Sequence, residues 1–138
     1  MIIDAKNLIV GRFATIAAKK ALLGEDVAVV NCDAAIITGS KKAVFARYRA
    51  KRAMGIPSKG PFHHRKADRF VRRIIRGMLP YKQEKGSEAF KKVMCYVGMP
   101  PEFEGKDTVT FEKANVKKVP SLKYVTIQDI CKELGGKV

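Results

Sequence analysis

A chain of 138 residues that is 46% hydrophobic and 30% charged carries enough apolar material for one folded domain, expected to span residues 1–138, and is no disordered tail. Its net charge of +15 is concentrated: residues 41–92 hold seventeen Lys/Arg against three Asp/Glu, while residues 1–40 balance at four each and 93–138 hold seven against six. A block so dense repels itself unless an anion compensates it; no apolar stretch approaches the ~20 residues that span a bilayer, so nucleic acid is the expected partner and membrane is not.

Ile2 and Ile3 open a short strand. GRFATIAAKKALLG (11–24) reads as a helix with Phe13, Ile16, Ala17 and Leu23 on its apolar side, Lys19 and Lys20 near its end and Gly24 as its stop. Two apolar runs follow, Val27 to Val30 and Ala34 to Ile37, of the kind that suits strands buried on both faces. Strand, helix, strand in this order is a βαβ unit and predicts an α/β layered fold.

Ser40 is a suitable N-cap for KKAVFARYRAKRAMG (41–55), a helix whose apolar side is only Val44, Phe45 and Tyr48. Lys41, Lys42, Arg47, Arg49, Lys51 and Arg52 cover the rest of it. GIPSKGPFHHRK (55–66), rich in Gly and Pro, is a loop that carries Lys59, His63, His64, Arg65 and Lys66. In DRFVRRIIRGMLP (68–80), Phe70, Val71, Ile74, Ile75 and Met78 fall on one helical stripe. Arg69, Arg72, Arg73 and Arg76 fall on the opposite one, within an arc of roughly 100°.

Pro80 ends that helix, and YKQEKG, with Lys82 and Lys85, is a basic loop. Ser87 is the expected cap of a short helix that runs into a strand over VMCYV (93–97). Thr108 to Phe111 is a small strand candidate, and EKANVKKVPSLKY (112–124) a loop. Thr126 caps a final helix with core positions Ile127, Ile130, Cys131 and Leu134 before Gly135.

Catalytic patterns are weak. ITGSKK (37–42) places a glycine turn between a strand and a helix, where phosphates bind in many α/β enzymes, yet the GxxxxGK spacing of a P-loop and any GxGxxG are absent. Cys32, Cys95 and Cys131 are odd in number, widely separated and form no CxxC pair; His63 and His64 have no Cys or acid at ligand spacing. Neither metal nor cofactor nor small-molecule substrate is expected, and the chain reads as a non-enzyme.

A charged helix face is most often only solvated, but such faces mix signs at i, i+4, whereas here the pairs 69/73 and 72/76 are like-charged. Arginine's planar fork suits bidentate phosphate contact and stacking on bases. Basic residues spread over two helices and two loops, with no Asn or Gln among them before Gln83, fit the irregular phosphate surface of folded RNA better than a DNA groove. A free-standing nucleic-acid-binding regulator is the alternative.

The motifs also resemble a known family. VRRIIRGMLPYKQEKG (71–86) is similar to the signature of the universal large-subunit ribosomal protein thirteen family, an RGMLP core followed by a basic residue and glycine, here Lys85 and Gly86. IDAKNLIVGRFATIAAKKALLG resembles its opening Asp and Gly-Arg-hydrophobic-Ala helix, and VAVVNCDAAIITGSKK its strand, Asn and Thr-Gly-x-Lys turn. The resemblance runs from Ile2 to Val97, and the short length and the GPFHHRK loop are most like archaeal members. It implies a three-layer α/β/α fold with a small, largely parallel sheet of about four strands. It implies a non-catalytic role too: a cytoplasmic constituent of the large ribosomal subunit, present as a monomer, that binds large-subunit rRNA, meets neighbouring ribosomal proteins and supports assembly. The basic segment 41–92 would face the RNA.

Overall fold

The structure is a computed structural model and describes residues 1–136. Strand β1 (Ile2–Asp4) leads through helix α1 (Val10–Leu22) into β2 (Val27–Val30), and β1 and β2 pair in parallel with Ile3 opposite Val29. This is the predicted βαβ unit. Strand β4 (Val93–Cys95) adds in parallel on the other side of β2, giving the order β1-β2-β4. Strand β3 (Ile36–Thr38) does not join them. A 3₁₀ turn at Cys32–Ala34 swings the chain away, and β3 pairs antiparallel with β5 (Tyr124–Thr126) as a separate ribbon. Among the described residues the strands thus form a parallel three and an antiparallel two, in place of one sheet of about four.

Alternation along the strands decides which face is covered. Ile3, Val27, Val29, Val93 and Cys95 are buried, while the in-register row Ile2, Ala28 and Met94 on the opposite face is half-buried to exposed. The buried side chains join Val10, Phe13, Ala14, Ala17, Val71, Ile75, Ile127, Ile130, Cys131 and Leu134 in one contiguous core.

Helix α1 uses small residues to lie close: Ala14, Ala17, Ala18 and Ala21 are all buried. Gly24, at φ +96°, ends it in the left-handed conformation that glycine adopts at no steric cost. The expected core residue Leu23 is instead 68% exposed, because it lies past the last helical turn.

Helix α2 (Lys41–Ala53) buries only Val44 and rests Phe45 and Tyr48 against the core; Ser40 caps it, its Oγ accepting from the Ala43 N–H at 3.4 Å. Helix α3 (Ala67–Gly77) buries Phe70, Val71 and Ile75, with Ile74 half-buried. Met78 is exposed, correcting its place in the stripe: the helix stops at Gly77 and Leu79 turns inward instead.

Helix α4 (Glu84–Lys91) starts four residues earlier than a Ser87 cap suggested, behind Gln83, so Lys85 is helical and not in a loop. The reason is Gly86. A Cβ there would lie 2.1 Å from the Pro80 carbonyl oxygen, so the helix can start against the RGMLP turn only with glycine at this position.

The Thr108–Phe111 candidate shrinks to one parallel bridge, Ile3 with Val109, fixed by Val109 N–H to Ile2 O at 2.8 Å and Asp4 N–H to Val109 O at 3.2 Å. The loop 112–124 contains two 3₁₀ turns and delivers Tyr124 to β5. Helix α5 (Ile127–Glu133) is as expected: Thr126 Oγ1 accepts from the Asp129 N–H at 3.2 Å, and Ile127, Ile130, Cys131 and Leu134 are buried.

Two polar bridges hold the C-terminal ends of the parallel strands. Asn31, left-handed at φ 54°, donates from Nδ2 to Asp4 Oδ1 at 2.8 Å, and Asp33 Oδ1 accepts from the Gly98 N–H at 3.1 Å. In urea unfolding, Ile75→Ala is expected to cost about 2–5 kcal/mol and Leu23→Ala less than about 0.5 kcal/mol. Equal losses would return Leu23 to the core.

Candidate nucleic-acid interface

The basic helices reach the surface in different ways. On α2, Arg49 pairs with Glu133 of α5, and Arg52 donates from Nη1 to the Leu134 carbonyl oxygen at 2.6 Å. Both guanidiniums therefore fasten α2 to α5. The Lys41 ammonium lies over the Phe45 ring (5.4 Å to the centroid) and that of Lys51 over Tyr48 (5.3 Å), contacts that orient each cation and leave its charge intact. Lys42 and Arg47 are exposed, as are Lys59, Arg65 and Lys66 in the following loop and Lys82 and Lys85 beyond α3.

The arginine stripe of α3 divides by task. In β4, Lys92 O accepts from Val27 N–H and Tyr96 N–H donates to Val29 O, so the alternate residue Val93 turns its carbonyl to the open edge of the sheet. Arg72 covers that edge: Nε donates to Val93 O at 2.9 Å and Nη2 to Phe90 O at 3.4 Å. Its guanidinium lies over the Phe90 ring, 4.4 Å from the centroid. Arg73 donates from Nη1 to the Phe62 carbonyl oxygen and holds the 55–66 loop against α3. Arg76 lies over the Tyr81 ring at 4.9 Å. Arg69 is exposed and makes no hydrogen bond or ion pair among the described residues.

These four arginines, with His64 and Phe90, line a cleft of about 340 Å³. Among the described residues, no carboxylate lines it. Asp68, four residues before Arg72, forms no ion pair with it; one of its carboxylate oxygens is buried without a hydrogen-bond partner. None of the arginines loses its charge by bonding to a carbonyl or a ring, so the cleft stays strongly positive.

The histidines respond to that field. Burial pushes the His64 pKa below the ordinary histidine value, with Arg69 and Arg73 acting in the same direction and Asp68 partly opposing them. His63 is lowered likewise, by burial first and then by Arg73 and Lys51. Both are expected to be neutral at pH 7. Among the described residues no group of three or more His, Cys, Asp or Glu is arranged to hold a metal, and no helix is long and apolar enough to cross a membrane.

Two features escaped sequence reasoning. Phe90 and Tyr81 serve as platforms for arginines, which periodicity cannot show because the partners lie on different elements. Met54, Ile56 and Phe62 project from the 54–65 loop at 57%, 57% and 63% exposure, a sequence signal visible as apolar residues within a Gly/Pro-rich basic stretch.

Residues 1–102 match the model of the ribosomal protein L13 family. The chain belongs to that family. Relatives named large ribosomal subunit protein uL13 match nearly end to end. That of Methanococcoides burtonii is 43% identical over 99% of this chain and 98% of its own length; that of Methanosarcina barkeri is 37% identical over 99% and 98%. The Methanopyrus kandleri protein is 40% identical over 97% of this chain and 86% of its own. The L13 match covers the whole α3–α4 cleft and the Pro80–Gly86 contact described above. Residues 103–136, outside the family model, share sequence with the archaeal L13 relatives and supply β5 and α5.

Within this L13 fold the four arginines are not equivalent. Arg72→Ala leaves the Val93 and Phe90 carbonyls without their donor and is expected to cost about 1–3 kcal/mol, whereas Arg69→Ala is expected to stay within about 0.5 kcal/mol. Thermal unfolding checks this, and equal losses would refute the division of tasks. A histidine NMR titration should place the His64 midpoint below 6.5. Because the folded value is depressed, the corresponding stability is present above the unfolded value and falls as pH drops from 6.5 toward the folded midpoint.

Proposed function

We propose that this chain is a non-catalytic constituent of the large ribosomal subunit that binds large-subunit rRNA through residues 41–92 and supports subunit assembly. The observation that carries this reading is the arginine cleft on α3, which no carboxylate among the described residues lines, in a chain whose relatives are named large ribosomal subunit proteins. The +14 of that segment needs a polyanion, and folded RNA supplies phosphates at many angles.

The proposed contacts are Lys41, Lys42, Arg47, Lys51, Lys59, His63, His64, Arg65, Lys66, Arg69, Arg73, Arg76, Lys82 and Lys85. Arg49, Arg52 and Arg72 act through the protein as well: each ties α2 or α3 to a neighbouring element while adding its charge to the surface. The chain acts as a single domain over 1–138, one copy per subunit, in the cytoplasm, beside other ribosomal proteins. The three-layer arrangement expected of the fold belongs to the same proposal, with the half-open row Ile2, Ala28 and Met94 as the place for an outer layer.

Six to ten phosphate contacts imply a loss of about three to five decades in rRNA affinity between about 50 and 200 mM salt. In a sucrose gradient of native lysate, the chain is expected to sediment with the large subunit and to survive a high-salt wash. Arg69, Arg73 and Arg76 changed together to Glu should remain folded and move to the top of the gradient. A wild-type chain found at the top at both salts would make it a free regulator instead.

A further inference from the structure

The arginine side of α3 is concave, not a flat rail for a helical backbone. A duplex presents phosphates on a convex ridge with its bases stacked inside, and a cleft of about 340 Å³ is too confined to take a groove wall. Its volume lies at the lower end of the range for small-ligand sites. The lining is also not uniformly polar: Phe90 and the Arg72 guanidinium form a stacked pair in the wall.

We propose that this cleft receives a single unpaired nucleotide extruded from an RNA strand, its base stacking in the wall formed by Arg72 and Phe90 and its phosphate held by Arg69, Arg73 and Arg76. The inference rests on the RNA-binding reading above and names what that site takes.

Arg72 is preorganised for this. Its Nε and Nη2 are both committed to carbonyl oxygens, at 2.9 and 3.4 Å, and its cationic plane is set by the Phe90 ring 4.4 Å away. A guanidinium fixed in this way offers a flat, charged surface for a base without first losing side-chain freedom. Phosphate needs the opposite, donors that are not already spent. Arg69 has none of its donors engaged among the described residues, Arg73 engages Nη1 alone, and Arg76 meets a ring face and not an acceptor. One side of the cleft is thus built for a planar base and the other for an anion.

His64 completes the rim. Held neutral by burial and by Arg69 and Arg73, it brings one nitrogen donor and one acceptor, a pairing suited to a ribose hydroxyl or a base edge. A plain anion site would gain nothing from Phe90 or from a neutral His64. An acidic peptide would find the charge but no planar partner for the wall.

The test compares adenosine monophosphate, uridine monophosphate, ribose 5-phosphate and inorganic phosphate as probes of the full chain at low salt, by titration calorimetry with amide NMR shifts to locate binding. Base stacking predicts that the nucleotides bind about ten- to a hundredfold tighter than ribose 5-phosphate, with shifts centred on Arg72, Arg73, Phe90 and His64. Arg69→Gln should weaken nucleotides and ribose 5-phosphate by the same factor. Arg72→Lys, which keeps the charge and removes the plane, should erase the preference for nucleotides; if that variant does not fold, the wild-type ratio and Arg69→Gln decide the matter. Equal binding of all four probes, binding centred elsewhere, or no binding overturns the proposal. Loss of the preference in a chain that still sediments with the large subunit sinks this inference alone. A chain that discriminates the base yet never enters the subunit upholds the cleft and sinks the ribosomal reading.

Discussion

Arg72 crosses from the charged side of α3 to the open edge of the sheet and hydrogen-bonds Val93 O, with its guanidinium laid on Phe90. A strand edge with free carbonyls pairs readily with other chains, and a bonded arginine blocks that pairing while keeping its own charge. The same side chain therefore joins α3, α4 and β4. The position of the arginine surface relative to the core depends on this junction, because α3 is the element that belongs to both.

The remaining basic residues follow the same logic of sharing. With seventeen cations against three acids between 41 and 92, neutralisation by neighbours is not available. Among the described residues only two ion pairs form, Lys20 with Glu25 and Arg49 with Glu133. The other anchored cations of this segment use carbonyl oxygens (Leu134, Val93, Phe90, Phe62, Gly24) or ring faces (Phe45, Tyr48, Tyr81, Phe90). Those partners orient a cation without cancelling it. The outcome is a rigid surface with its positive field intact, which is what a protein needs if binding is to order the RNA more than itself.

Glycine and asparagine set the close approaches that this arrangement needs. Gly86 lets α4 begin against the Pro80 turn, which places Phe90 under Arg72 one turn later. Asn31 accepts a left-handed backbone and ties the end of β2 to Asp4, so the parallel pair enters the 3₁₀ turn in a fixed direction. Both belong to the stretches that resemble the family motifs, and both have a steric reason to be there.

Period and charge were enough to read the βαβ start, the Ser40 and Thr126 caps, the apolar side of α3 and the charge block, because each depends on residues within one or two turns of each other. The same local signals misplaced Leu23 and Met78, which lie just past helix ends, where angular position no longer predicts direction. They also missed that α4 starts at Glu84, since the contact that permits it is between Gly86 and a backbone carbonyl six residues away. Tertiary structure alone decided that β3 stays out of the parallel sheet and pairs with β5, 88 residues on (124 against 36), because strand pairing is a long-range choice that no window contains. It alone decided as well which arginines serve the protein. Arg69 and Arg72 are alike on a helical wheel, and only the position of Val93 and Phe90 on other elements makes one a free donor and the other a strut.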